Sequence, residues 1–178
     1  MARYVALLRG INVGGKRKVP MADLRTAFEA LGYDDVATYI QSGNVVFRTG
    51  DARAGLEAAI EAALDERFGF PVPVVVRSAA QLRGVVEQAP AGFGTQPDTY
   101  LSDVVFLKAP LTPKAAFEVL ERREGVDEAW AGRGVVYFQR LAAQRTKSRL
   151  SRIVSLPEYQ LMTIRSWSTT TKLLELVD

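Results

Sequence analysis

The 178-residue chain contains no cysteine and no histidine. The first absence excludes disulfides, thiolate nucleophiles and zinc sites built on sulfur. The second removes the commonest metal ligand and the usual general base near neutral pH. Catalysis would have to rest on Asp, Glu, Lys, Arg, Tyr, Ser, Thr or a carboxylate-held metal, and no pair of these stands out as an acid–base couple. No metal and no cofactor is therefore expected. Long apolar runs are missing as well, so no segment is expected to cross a bilayer. The apolar stretch YVALL near the N-terminus is too short for the core of a secretory signal. These features lead us to expect a cytoplasmic protein that does not bind a membrane.

What is present is ordinary globular composition, 48% hydrophobic and 24% charged, in a length that suits one domain or two small ones. Net charge is +3, but it is unevenly placed. Residues 1–20 hold five basic and no acidic side chains, and residues 133–172 hold eight basic and one acidic. The stretch between them, residues 21–132, is net acidic, with ten basic and seventeen acidic side chains. Folding that gathers the two basic segments would make one positive face suited to an anionic partner. Solvated surface lysines and arginines are the plain alternative.

The first half reads as β-α-β-β-α-β. A strand is expected over residues 4–8. Pro20 opens a helix with Met21, Leu24, Ala27, Phe28 and Leu31 at helical spacing, closed by Gly32. Strands over 36–40 and 45–47 flank a turn at Gln41-Ser42-Gly43-Asn44. Leu56, Ile60, Leu64 and Phe68 mark a second helix, with Glu57, Glu61 and Asp65 on its other side, and a strand follows over 73–77. Ser78 caps a further helix, and the Gly- and Pro-rich segment 90–100 is the best linker candidate.

The second half repeats the order. A strand over 103–108 leads to a helix capped by Thr112 and opened by Pro113, then to a hairpin of strands 127–131 and 135–139. A helix over 146–155 would align Arg145, Arg149 and Arg152 on one face. A strand over 161–165 and a last helix from about Thr169 complete it. The expected fold class is α+β, two tandem ferredoxin-like βαββαβ halves with an added C-terminal helix. The divisions are an N-terminal half over 1–77, a connecting helix and linker over 78–101, and a C-terminal half over 102–178.

Within RGINVGGKRKVP, residues 9–20, Gly10, Gly15 and Lys16 have the spacing of a phosphate-binding loop. That loop needs its Lys at a helix start and a following Ser or Thr for magnesium. Arg17 follows Lys16, and Pro20 forbids a helix through it. The nucleotide-hydrolase reading is therefore rejected. What remains is a long glycine-rich loop carrying Arg9, Lys16, Arg17 and Lys18, longer than connections in such folds usually are. Its functional reading is anion binding, and its plain reading is a connector with solvated cations.

Three segments, ALLRGINVGGKRKVPMADLR, TYIQSGNVVF and RSWSTTTKLLEL, resemble an uncharacterised bacterial family, domain of unknown function 1697. The resemblance spans the whole chain. It implies paired ferredoxin-like halves and supplies no reaction. Family members usually carry Asn before the tryptophan, where this chain has Ser166.

Other candidates follow from residue chemistry. The amides and hydroxyl of Gln41, Ser42 and Asn44 could meet a ligand, although turn chemistry alone explains them. In a standard hairpin topology this turn and the first loop are expected at opposite ends of the sheet. Hydroxyls crowd the run from Ser166 to Thr171 at a helix start, where free N–H groups bind anions. Arg165 and Lys172 add charge there, and Trp167 could stack on a base. The alternative is a helix capped by Ser168 with Trp167 in the core. RGVVYF from Arg133 lacks the aromatic of an RNA-recognition motif. The expected function is thus binding of an anionic ligand (nucleic acid, a nucleotide or a phosphorylated small molecule). The expected contacts are Arg9, Asn12, Gly14, Gly15, Lys16, Gln41, Ser42, Asn44, Arg165, Trp167 and Lys172. A histidine-independent enzyme acting on a phosphorylated or acyl substrate is the second reading. A homodimer paired through sheet edges is the third.

Overall fold

Strand β1, Ala2–Leu8, is buried on both faces from Tyr4 onward, which is why its sequence is an unbroken apolar run rather than an alternating one. In the computed structural model, which describes residues 1–178, β1 is a central strand of a four-stranded antiparallel sheet. The order is β2-β3-β1-β4, with β2 Asp34–Tyr39, β3 Asn44–Thr49 and β4 Val74–Ser78. Helices α1, Met21–Ala30, and α2, Leu56–Phe68, connect these strands. Tyr4, Ala6 and Leu8 share a core with Leu24, Phe28, Ile60 and Leu64 of the two helices. Phe47 centres that core, 4.8 Å from Tyr33, 5.4 Å from Phe28 and 5.7 Å from Tyr4 between ring centroids. Aromatic pairs at these separations add to burial.

Glu57 and Glu61 do not simply face solvent as the helical pattern suggested. Their carboxylates accept hydrogen bonds from the Val76 and Val74 amides of edge strand β4, each at 2.9 Å. Edge amides that would otherwise template another strand are thereby occupied, which works against β4 as a dimer seam.

The second sheet has the equivalent order β6-β7-β5-β8, with β5 Tyr100–Leu107, β6 Asp127–Ala131, β7 Val135–Leu141 and β8 Met162–Ser166. Two further helices precede and follow β5, α3 at Ala79–Glu87 and α4 at Pro113–Val119. Both are capped as their sequences indicate. Ser78 Oγ accepts from the Gln81 amide and Gln81 Oε1 from the Ser78 amide, a reciprocal capping box, while Thr112 Oγ1 accepts from the Ala115 amide. The chain divides into two compact units, Met1–Leu82 with Lys172–Asp178, and Arg83–Thr171. The fold is α+β, and no helix is long and apolar enough to cross a membrane.

Three local expectations change. The helix expected over 146–155 is absent. Short 3-10 turns at Ala142–Lys147, Leu150–Ser155 and Pro157–Leu161 replace it. Ser148 adopts an extended conformation and Pro157 opens a new turn, so no helix can run through, and Arg145, Arg149 and Arg152 share no helical face. The last helix, α5, covers Trp167–Val177 and starts two residues early. Its cap is Ser166, whose Oγ accepts from the Thr169 amide, not Ser168. Finally, the segment read as a linker is anchored by buried Phe93, whose ring packs edge-on against Trp130, Tyr137 and Trp167.

Candidate functional site

The loop after β1 folds back on itself as a small hairpin. Gly14 and Gly15 both have positive φ, +58° and +72°, and the Lys16 amide donates to the Val13 carbonyl at 3.0 Å. Two central residues with positive φ define a type I′ turn, which glycine alone adopts freely. The Asn12 amide donates to the Arg17 carbonyl one step further out. Residues 13–18 are all exposed. Helix α1 begins only at Met21, preceded by an extended Pro20. Lys16 therefore stands at no helix start, and the phosphate-loop geometry is excluded by structure as well as by sequence.

Contrary to the expectation from topology, this hairpin and the β2–β3 turn lie at one end of the sheet. Antiparallel pairing of β1 with β3 sets the end of β1 beside the start of β3, with Leu7 opposite Asn44. Asn12 joins them. Its Nδ2 donates to the Gln41 carbonyl at 2.9 Å and to the Val19 carbonyl at 3.0 Å, and its Oδ1 accepts from the Val19 amide at 2.8 Å. Gly43 closes the seam. The Leu8 amide donates to its carbonyl, and a Cβ built there would sit 2.8 Å from both Leu8 and Ile11. At φ +93° no other residue fits without strain. The same junction holds Ile40, a β-branched residue at φ +50°, a conformation such residues avoid.

This frame divides the expected ligand residues into two groups. Asn12 and Asn44 hold the frame. Asn44 is fully buried, and its amide donates to the Tyr39 carbonyl and to Ser42 Oγ. Asn12 is half-buried, and both of its Nδ2 hydrogens are used within the frame. Gly14, Gly15, Lys16, Gln41 and Ser42 are exposed, and Arg9 is half-buried at the base of the loop. Lys16, Arg17 and Lys18 form no salt bridge, although carboxylates neutralise several other cations of the chain. The Arg17 guanidinium lies 5.5 Å from the Phe70 ring, a cation–π contact that steadies it.

The second group of expected contacts is not a basic surface. Arg165 is 8% exposed and donates through Nη1 to the Ile164 carbonyl, and burial lowers its pKa to about 10. The hydroxyls at the start of α5 are used within the helix. Thr170 donates to the Ser166 carbonyl, Thr171 to the Ser168 carbonyl, and Ser166 Oγ contacts both Ser168 and Thr169. Lys172 pairs with Glu175 at 2.9 Å, and that hydrogen bond raises its pKa. Trp167 is half-buried against Phe93, 5.2 Å between centroids. Arg149 and Arg152 both reach Glu121, at 3.8 and 2.6 Å.

Sequence reasoning missed a cavity of about 520 Å³ in the second unit, lined among others by Tyr100, Asp103, Arg140 and Trp167. Asp103 and Arg140 form an ion pair of 4.0 Å across β5 and β7. Burial raises the Asp103 pKa, and Arg140 opposes the shift. The one available signal was a charged residue at the head of the apolar run DVVFL. No three acidic side chains converge to hold a metal ion.

An α+β protein of two four-stranded antiparallel sheets, with three consecutive exposed cations on a glycine-turned hairpin, is the class that emerges. The chain belongs to the family described as a protein of unknown function (DUF1697), whose model matches residues 1–137. It is also similar in structure to the conserved bacterial protein SP0830 from Streptococcus pneumoniae, with a TM-score of 0.86 and 28% identity over 99% of each chain. No curated protein matches the chain significantly.

Proposed function

We propose that the protein binds an anionic ligand through the hairpin at residues 12–17 and its flanking cations, and that nucleic acid is the ligand it fits best. The observation that carries this reading is the triplet Lys16-Arg17-Lys18, exposed, without a carboxylate partner and held on a frame fixed by Asn12 and Gly43. Surface cations commonly find counter-charges within their own protein. Three consecutive ones without any, on a backbone with little freedom, keep their full attraction for an external anion. Because residues 13–18 are all exposed, the ligand lies along a surface. That suits a chain of phosphates better than a small metabolite, which needs enclosure. Gln41 and Ser42 adjoin the hairpin and offer neutral donors and acceptors.

We further read each half as ferredoxin-like. The strand orders β2-β3-β1-β4 and β6-β7-β5-β8 support this, as does antiparallel pairing throughout.

Fluorescence polarisation of labelled single-stranded RNA and DNA, measured across a salt series, tests the function. Affinity should fall with salt, with a log–log slope of about 0.7 per phosphate neutralised. The three cations therefore correspond to a slope near −2. Binding insensitive to salt, or none at low salt, would remove nucleic acid as the ligand.

A further inference from the structure

The cavity in the second unit exists because two strands end at different places. Strand β8 stops at Ser166, opposite Asp103, while β5 continues through Ser102, Leu101 and Tyr100 with no β8 residue beside them. The chain turns into α5 at this point, leaving about 520 Å³ between the overhanging strand and the first turns of the helix. That volume is within the usual range for small-molecule sites, about 300–1,000 Å³.

Its lining combines three kinds of chemistry. Trp167 supplies an aromatic wall. Its position is fixed by Phe93, edge-on at 89°, and by Gly94, where any Cβ would collide with the indole. Asp103 offers a carboxyl group, and Arg140 a guanidinium with donors to spare. The Arg140 Nε is enclosed without an acceptor, and its Nη2 stands 4.0 Å from Asp103, beyond hydrogen-bond length. A buried donor left unmet is uncommon and calls for an explanation. A flat aromatic wall beside a carboxylate and an under-used guanidinium matches a ligand with a planar heterocycle, vicinal hydroxyls and a phosphate. The heterocycle would stack on Trp167, the hydroxyls donate to Asp103, and the phosphate accept from Arg140.

We infer that this cavity is a binding site for a nucleoside monophosphate, separate from the cationic hairpin of the first unit and independent of the function proposed for it. Titration of adenosine, guanosine and uridine monophosphates, followed by calorimetry and by amide NMR of the unaltered protein, tests it. At least one should bind saturably and shift the amides of Gly94, Ser102 and Trp167. Adenosine and ribose 5-phosphate should each bind about tenfold more weakly than adenosine monophosphate, a loss of roughly 1.4 kcal/mol. Arg140→Gln should remove the advantage of the nucleotide over the nucleoside. Trp167→Phe, which keeps a ring against Phe93, should weaken both. The double change Lys16→Ala with Lys18→Ala should leave nucleotide binding intact. No saturable binding at millimolar concentration would overturn the inference, as would shifts confined to residues 9–19 or inorganic phosphate binding as tightly as the nucleotides.

Discussion

The two units use one strand order and even one detail of wiring, yet deploy charge in opposite ways. At the end of β4 stands Arg77-Ser78, and at the end of β8 stands Arg165-Ser166. Both arginines are buried, both donate to the carbonyl of the preceding residue, and burial lowers the pKa of each to about 10. Both serines cap the helix that follows, accepting from the amide three residues on. Around these shared points the units diverge. The first lengthens the connection after β1 into a glycine-turned hairpin whose lysines have no partner. The second keeps the corresponding connection short, with α4 starting at Pro113, and puts 3-10 turns before β8, where Arg149 and Arg152 converge on Glu121. Counting basic residues would rate the last third of the chain as the stronger anion-binding region. Their partners narrow the difference: Arg140, Arg149, Arg152 and Lys172 face carboxylates and Arg165 is buried, which leaves Arg133, Arg145 and Lys147 exposed and scattered along the chain, against three consecutive cations on the hairpin.

The sharpest way to break the comparison is at Gly43. Gly43→Ala forces a Cβ against Leu8 and Ile11 at φ +93°, and should cost about 2–4 kcal/mol, read as a lower midpoint in denaturant. A variant as stable as the parent would show that the turn relaxes freely. Asn12→Ala removes one hydrogen bond from the loop to the turn and two within the loop and should cost about 1–3 kcal/mol. It should also weaken nucleic-acid binding while leaving circular dichroism unchanged, because the cations remain and only their frame is lost.

Exposed Lys16 and Lys18 should behave in the converse manner. Changing each to alanine should reduce the salt slope of binding by about 0.7 per residue, with stability altered by no more than about 0.5 kcal/mol.

The smallest effect concerns pH. In the folded protein Asp103 has a pKa raised above 3.8 by burial. The folded state therefore holds this proton more tightly than the unfolded chain. Its contribution to stability is fully present at low pH and is lost as pH rises from 3.8 through the folded value. Asp103→Asn should gain in thermal midpoint relative to the parent over that window. A constant difference between the two proteins across pH would contradict the shift.

Much of the fold was legible because local signals agreed with each other. Helical spacing from Met21 to Leu31, the Ser78 and Thr112 caps, and the apolar runs of β1, β3 and β7 all mark elements that form. The segment 146–155 misleads because Leu150, Ile153 and Val154 have a spacing that suits a helix as well as a 3-10 turn, and Pro157 decides between them. The hairpin was half legible. Gly14 and Gly15 mark a glycine-rich loop, but nothing local connects Asn12 to Gln41 across 29 residues. The fates of the cations were not legible. Whether Lys16 is solvated, Arg165 buried or Arg152 neutralised depends on neighbours that only the fold supplies. The Arg-Ser pair recurring at 77–78 and 165–166 is visible in the sequence and ties the two halves together.

The most direct test sets the two cation groups against each other. Binding of labelled single-stranded RNA at low salt should be measured for Lys16→Ala with Lys18→Ala and for Arg149→Ala with Arg152→Ala, two doubly altered proteins that lose the same charge. The first pair should lose most of the affinity and about 1.4 from the salt slope, while the second changes affinity by less than about twofold. Equal losses in both would mean that net charge alone governs binding, and the hairpin would have no special part in it.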